Sequence, residues 1–470
     1  MEFPGGKSFM KSANYHEHRD SSRIRKRFSL PVWVGLLVIG ILLSVPAGLF
    51  LLKVETGRET PYRYRFSRSA QGTVTLALGK EIAFYQERIR RSPEDGLDRA
   101  SLASTYLKMA RATGDVSWYL LAEQSAQQSL AKLPFHNDGA VLALARVAQA
   151  RHDFAEAIRL AEQVPGKEEA LSVMVTAKLA MGKVDEASVA ADALVNRYPA
   201  LGSLTLMALV NVAQGKDDAA IQNFQQALAA EEPGETGGSI WARTLLGRLN
   251  YKRGQLKKAR ELYQESLRVL PQYPPALLNL AELEVRLGDY QAAERHYSQV
   301  FLTSQRSPTV YDHVVMRGMV RVKELSGDKS GAKLWLDKAE ARLREDLASF
   351  GHRRELARLL LERGGSKNIA EALTLMQMEV RVRRDAETLD TLAWALSGLG
   401  RWPEAKAAMQ EALRSGIRDP GLFHRAGVIE QALGNQPQAL AFFRLVQETD
   451  PTFDEQAQRT LGLGVGLLGL

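Results

Sequence analysis

Residues 240–273 read IWARTLLGRLNYKRGQLKKARELYQESLRVLPQY, and residues 274–307 read PPALLNLAELEVRLGDYQAAERHYSQVFLTSQRS. Both blocks are thirty-four residues long and carry matching residue types in matching places: Gly247 with Ala281, Gly254 with Gly288, Ala259 with Ala293, and Tyr263 with Tyr297. Each block reads as a helix hairpin. A small residue in the first helix lets the second approach, glycine permits the turn, alanine sits where the helices are closest, and the aromatic four residues later fills the groove against the next block. Pro271 ends the second helix before the next hairpin begins.

The turn glycine and the alanine after it recur as Gly182 and Ala187, Gly215 and Ala220, Gly327 and Ala332, Gly365 and Ala370, Gly400 and Ala405, and Gly434 and Ala439. Ala157 and Ala122 extend the series upstream without the glycine, which predicts about ten units from residue 97 to residue 453. The turn around Ala112 to Asp115 is longer, and insertions fall near Gly234 to Gly238 and near Ser304 to Pro308.

A thirty-four-residue period with these small, aromatic and proline positions resembles the tetratricopeptide-repeat (TPR) family. The stretch LDTLAWAL at 389–396, followed by Gly400 and Trp402, looks like the C-terminal units of bacterial TPR proteins, and the resemblance covers about three quarters of the chain. It implies an all-α fold, a right-handed superhelix of TPR hairpins. One hairpin alone leaves half its apolar face in water, so the units must stack on their neighbours.

Upstream of the array the chain changes character. Val32 to Leu52 holds no charged residue, and at about 1.5 Å per residue it matches a hydrocarbon core of roughly 30 Å. This predicts one transmembrane helix over 32–52, preceded by a basic cytoplasmic arm over 1–31. Arg19, Arg23, Arg25, Lys26 and Arg27 place that arm in the cytoplasm by the positive-inside rule, although Lys53, Arg58, Arg63, Arg65 and Arg68 on the other flank pull the opposite way. The apolar run outlasts a small-residue cleavage site at Val45 and Ala47, so an uncleaved signal anchor is expected. Gly40, Ser44 and Gly48 form a strip of small residues through which two such helices could pair. Residues 53–74, lacking helical or strand period, read as a tether; 75–96 read as a leading helix, and 454–470 as a C-terminal cap and apolar tail. The expected location is the cytoplasmic (inner) membrane, single-pass, with the array extracytoplasmic; the rival topology keeps the array in the cytoplasm.

The net charge of +8 concentrates at the membrane flanks, with +4 over residues 1–30, +3 over 53–101 and +1 over 102–470. A near-neutral body disfavours a nucleic-acid groove. The absence of cysteine excludes disulfides and thiolate chemistry. No histidine pair has the His-Glu-x-x-His spacing of a zinc protease; Gly6-Lys7-Ser8 and Gly464 to Gly469 lack the strand and helix that phosphate or dinucleotide loops require. Catalytic, metal and cofactor sites are therefore not expected, and none of the chain is left over for an active-site domain.

Function then falls to the groove that stacked first helices would line. The resemblance implies recognition of extended segments or helices of other proteins there, and the positions expected to project into it are Trp241, Thr244, Arg248, Tyr251, Glu282, Arg317, Arg321, Glu324, Glu355 and Trp394. The competing assignment makes these ordinary solvated helix faces. A clamp for a terminal carboxylate is not expected, because Asn279 matches that pattern while Thr244 and Arg248 do not. The expected function is a membrane-anchored scaffold or adaptor; the alternative is a regulatory subunit or a catalytically lapsed relative of a TPR-containing envelope enzyme.

Overall fold

Helix boundaries in this chain are set by local chemistry repeated many times. The carboxylates of Asp95, Asp153, Asp328, Asp385 and Asp419 and the amide of Asn137 each accept from a backbone N–H in the first turn of the following helix. Proline opens four first turns, one of them the turn that Asp419 caps, where its missing N–H costs nothing. The computed structural model describes residues 62–67, 73–304, 308–347 and 352–460. The expected arm, membrane span and small-residue strip, and the tail from residue 461, lie outside them.

Twenty-two helices and no strand occur among the described residues. A leading helix α1 (Thr73–Arg91) is followed by ten hairpins. These are α2 (Gly96–Thr113) with α3 (Ser117–Lys132), α4 (Asp138–Ala150) with α5 (Phe154–Ala161), and α6 (Glu168–Ala180) with α7 (Val184–Arg197). Next come α8 (Leu201–Ala213) with α9 (Asp217–Ala229), α10 (Thr236–Tyr251) with α11 (Leu256–Val269), and α12 (Pro274–Arg286) with α13 (Tyr290–Ser304). Then follow α14 (Asp312–Leu325) with α15 (Lys329–Glu345), and α16 (His352–Arg363) with α17 (Ser366–Glu379). The last two are α18 (Ala386–Gly398) with α19 (Trp402–Leu413), and α20 (Pro420–Ala432) with α21 (Gln436–Thr449), before a short α22 (Glu455–Thr460). None of these helices is long and apolar enough to cross a membrane.

The repeated alanines do what their spacing predicts: Ala122, Ala157, Ala187, Ala220, Ala259, Ala293, Ala405 and Ala439 are all buried between paired helices. One unit departs. Ala370 is exposed and Ala372 is buried in its place, because α17 starts after two consecutive glycines, Gly364 and Gly365, both at positive φ.

The stack coils back on itself. Val310 N donates to Gly114 O at 3.0 Å and Val116 N to Pro308 O at 3.1 Å, joining the first hairpin to the entry of the seventh. Arg384 N donates to Ala180 O at 3.0 Å, joining the third to the entry of the ninth. Gly215 lies against the carbonyl of Gly416, and Gly254 against Asp450 and Thr452. Each contact spans about six hairpins, so one turn of the coil rests on the next. The short α22 closes the far end against α10 and α12: Thr460 Oγ1 and Tyr251 OH are 2.7 Å apart, and Gln456 Nε2 donates to Val285 O at 2.9 Å.

This closure corrects the expectation of an open groove. Every residue of α12, including Asn279, Glu282, Glu284 and Arg286, is buried. Residues 62–67 also differ from the free tether expected of 53–74. They run along α9–α12, with Tyr64 packed among Ile240, Val269, Tyr273 and Ala276.

Candidate protein-binding site

Of the ten residues expected to face an open groove, six are buried: Thr244, Arg248, Tyr251, Glu282, Arg317 and Glu355. Only Glu324 is exposed, while Trp241, Arg321 and Trp394 are half-buried. The reason is pairing between equivalent positions of consecutive units. Arg248 binds Glu282, thirty-four residues on. Arg317 donates to Glu355 at 2.6 Å and to Glu362 at 2.7 Å, and Arg321 reaches Glu362 at 3.3 Å and Glu324 at 3.8 Å. Tyr251 lies between the guanidinium groups of Arg248 and Arg286, at 5.3 and 5.1 Å from its ring centroid. Trp394 is covered by Arg425, 4.7 Å from its ring centroid, which is itself held by Asp390.

Charges from successive turns complete the network. Lys252 donates to Asp419 at 2.7 Å and to Glu387 at 3.4 Å, and Arg286 donates to Asp450 at 2.7 Å. Burial alone would push the Glu355 carboxyl up, but Arg354, Arg358 and Arg317 outweigh it and hold the pKa down at about 2. Glu387 is likewise depressed, its burial outweighed by Lys252, Arg354 and Arg358. Beside this network the His313 and His352 rings lie 5.6 Å apart. Burial lowers both, His313 to about 3. This paired network ties successive units together, while Arg317, Arg321, Glu324 and Trp394 also line a cavity of about 660 Å³ beside it.

Two places differ. One is a cavity of about 630 Å³ between α1, the first hairpins and α10, lined by Leu78, Leu107, Arg146, Leu206, Tyr273 and Tyr311 among others. Trp241 lines it too, and its buried indole N–H has no hydrogen-bond partner among the described residues. The other is the seat of residues 62–67, where the array holds a non-helical segment of its own chain. Arg243 Nε donates to Tyr62 O at 2.6 Å, Tyr64 N donates to Glu265 Oε1 at 2.7 Å, and Arg268 Nη2 donates to Tyr64 O at 3.4 Å. Arg243 is fixed for this by a buried pair with Glu231 at 2.8 Å, and Arg268 by Glu265. Arg65 donates to Ala229 O at 2.8 Å and to Leu228 O at 3.4 Å, placing a cation on the carbonyl end of α9. Phe66 meets the Tyr64 ring edge-on at 5.6 Å.

Three tetratricopeptide-repeat family models match residues 200–272, 251–314 and 386–418. The chain carries TPR repeats. The matched residues include Arg243, Glu265 and Arg268 of the seat and the Arg248–Glu282 pair, while Arg317, Glu355 and Glu362 lie outside them. No curated protein matches the chain in sequence. Among solved structures it is similar to a tetratricopeptide repeat protein from Parabacteroides merdae, 16% identical over 63% of this chain and 98% of that one, with a TM-score of 0.31. It is also similar to human IFIT1, solved as a dimer with PPP-AAAA, at 14% identity over 80% of this chain and 87% of that one, TM-score 0.44. Yeast Tom70 is 14% identical over 80% of this chain and 86% of that one, TM-score 0.38.

The signals for the seated segment and for the Arg248–Glu282 pair were present in the sequence. Tyr62, Tyr64 and Phe66 alternate with Arg63 and Arg65, the period of an extended segment with one apolar face. Arg248 and Glu282 stand at the same position of neighbouring units with opposite charge, which foretells their pairing.

Proposed function

We propose that this chain is a membrane-anchored scaffold that uses its TPR array to hold extended segments of partner proteins. The observation that carries this reading is the seat of residues 62–67, where side chains of α10 and α11 bind a passing backbone and an apolar pocket takes an aromatic side chain. Backbone capture with one side-chain pocket is how folded proteins take up unstructured segments. The anchor is the apolar run Val32 to Leu52, and the basic residues before it favour a cytoplasmic N-terminus with the array on the outer face of the cytoplasmic membrane.

A photoreactive amino acid in place of Trp241, in the cavity wall, tests the reading in living cells. Light-dependent adducts with a small set of other proteins are expected. Adducts confined to the chain itself, with the protein present in the membrane fraction, would reject it.

A further inference from the structure

The seat on α9–α11 has a chemistry that defines its ligand. Arg243 Nε offers one donor, Glu265 one acceptor and Arg268 a second donor, and they meet the carbonyl of residue 62 and the N–H and carbonyl of residue 64. That spacing suits any extended chain. Selectivity comes from four side chains: the Tyr62 ring packs against the apolar cluster that includes Leu201 and Leu245, the pocket of Ile240, Val269, Tyr273 and Ala276 takes a second aromatic ring, the α9 carbonyls take a guanidinium, and a third aromatic ring meets the second edge-on. Arg63, between the two tyrosines, is exposed, so that position is unrestricted.

The geometry points to a peptide site for segments of the form aromatic-x-aromatic-Arg-aromatic, which this chain fills with its own residues Tyr62 to Phe66, and which a partner protein carrying such a segment occupies by displacing them. The inference rests on the scaffold reading for the partner and on the seated segment for the ligand's chemistry. Glu231 and Glu265, already paired with Arg243 and Arg268, fix the seat's donors and acceptor, and Glu231 also lies 3.8 Å from Arg65. Only Tyr64 of the seated residues is fully buried, so the internal ligand is held by a small surface. Its advantage is concentration: a tethered segment competes at an effective concentration on the order of millimolar, which a partner must outbid through affinity or abundance.

The test uses the full chain in detergent and a fluorescent peptide of residues 60–69. The double variant Tyr64→Ala, Phe66→Ala weakens the internal ligand and leaves the seat intact. It should bind the peptide saturably and at least about tenfold more tightly than the wild-type chain. Adding Glu265→Ala to that variant should abolish the gain, and a peptide with alanine at the position of Tyr64 should not bind. Equal binding to wild type and double variant, or binding to neither, overturns the proposal. So does a heterodimer of the double variant with wild-type chain that the peptide cannot dissociate, since the seat then serves a second copy. Should the variants fold poorly by circular dichroism, hydrogen exchange on the wild-type chain decides. Excess peptide must speed exchange of the Tyr64 amide, and no change overturns the proposal. Failure here with discrete crosslinked partners at Trp241 leaves the scaffold standing without this ligand; peptide binding without crosslinked partners has the opposite meaning.

Discussion

Arg286 and Asp450 are 164 residues apart in the chain and 2.7 Å apart in space, and neither side chain is more than 2% exposed. The pair joins α12 to the end of α21, where one turn of the coil meets the next, and Asp450 also accepts from Thr452 N at 3.0 Å. Removing one partner leaves the other charged and buried. Asp450→Ala should therefore destabilise the chain by roughly 3–5 kcal/mol, while Asp450→Ala combined with Arg286→Leu should recover a good part of that loss. Urea unfolding of the two variants checks this. Hydrogen exchange should show the single variant opening first at α22, whose contacts to Tyr251 and Val285 lie alongside the pair.

Turn-to-turn contact also separates two glycines that look alike in sequence. Gly215 and Gly400 both occupy the turn of a hairpin at positive φ, 69° and 73°. Alanine at either costs about 1–2 kcal/mol for the left-handed backbone. At Gly400 nothing lies within 4 Å of the added methyl group, whereas at Gly215 it would run into the backbone carbonyl of Gly416. Gly215→Ala should thus lower the melting temperature clearly more than Gly400→Ala. Equal shifts would mean that the turns of the coil do not touch in solution.

The hairpins were legible in the sequence because each is built within about thirty-four residues, and packing between neighbours imposes one period on glycine, alanine and tyrosine. The coil's closure was not. Lys252 with Asp419, or Gly114 with Val310, are contacts between residues that share no local pattern. Without them, Arg248, Glu282, Arg317 and Glu355 read as groove residues when they are structural pairs. Residues 62–67 were passed over for a related reason: a segment with no partner in its own neighbourhood reads as a tether, although its alternating aromatics mark one face for burial.

Buried histidines give the array a dependence on pH. His313 is neutral in the fold, with its pKa lowered to about 3 by burial, against about 6.5 when unfolded. It faces Glu355, which opposes the shift, and His352, Arg317 and Arg354, which reinforce it. The unfolded state binds the extra proton between those two values, so stability is complete above pH 6.5 and falls as pH drops toward 3. At pH 5 the loss from this residue alone is about 2 kcal/mol. His313→Phe should flatten the fall in melting temperature between pH 7 and pH 5, even where it lowers stability at pH 7. An unchanged slope would place the acid sensitivity elsewhere.

Under the proposed anchoring, the sidedness of the array follows from residues before the first described helix. Arg19, Arg23, Arg25, Lys26 and Arg27 precede the apolar run, and Lys53, Arg58, Arg63, Arg65 and Arg68 follow it. Positive charge near the ends of the span sets its orientation, with acids counting for little. The two clusters oppose each other, but Arg63 and Arg65 belong to a stretch that docks on the folded array, Arg65 on the carbonyl end of α9. Their charges travel with a folded domain and should weigh less than the five basic residues before the run. Fusing a periplasm-active and, separately, a cytoplasm-active reporter after Leu470 in a bacterial host should therefore light only the periplasmic one. Changing Arg23, Arg25, Lys26 and Arg27 to glutamine should shift part of the population to the opposite topology. A cytoplasmic signal alone from the unmodified chain would reverse the assignment and turn the search for partners of the TPR array to the inner face of the membrane.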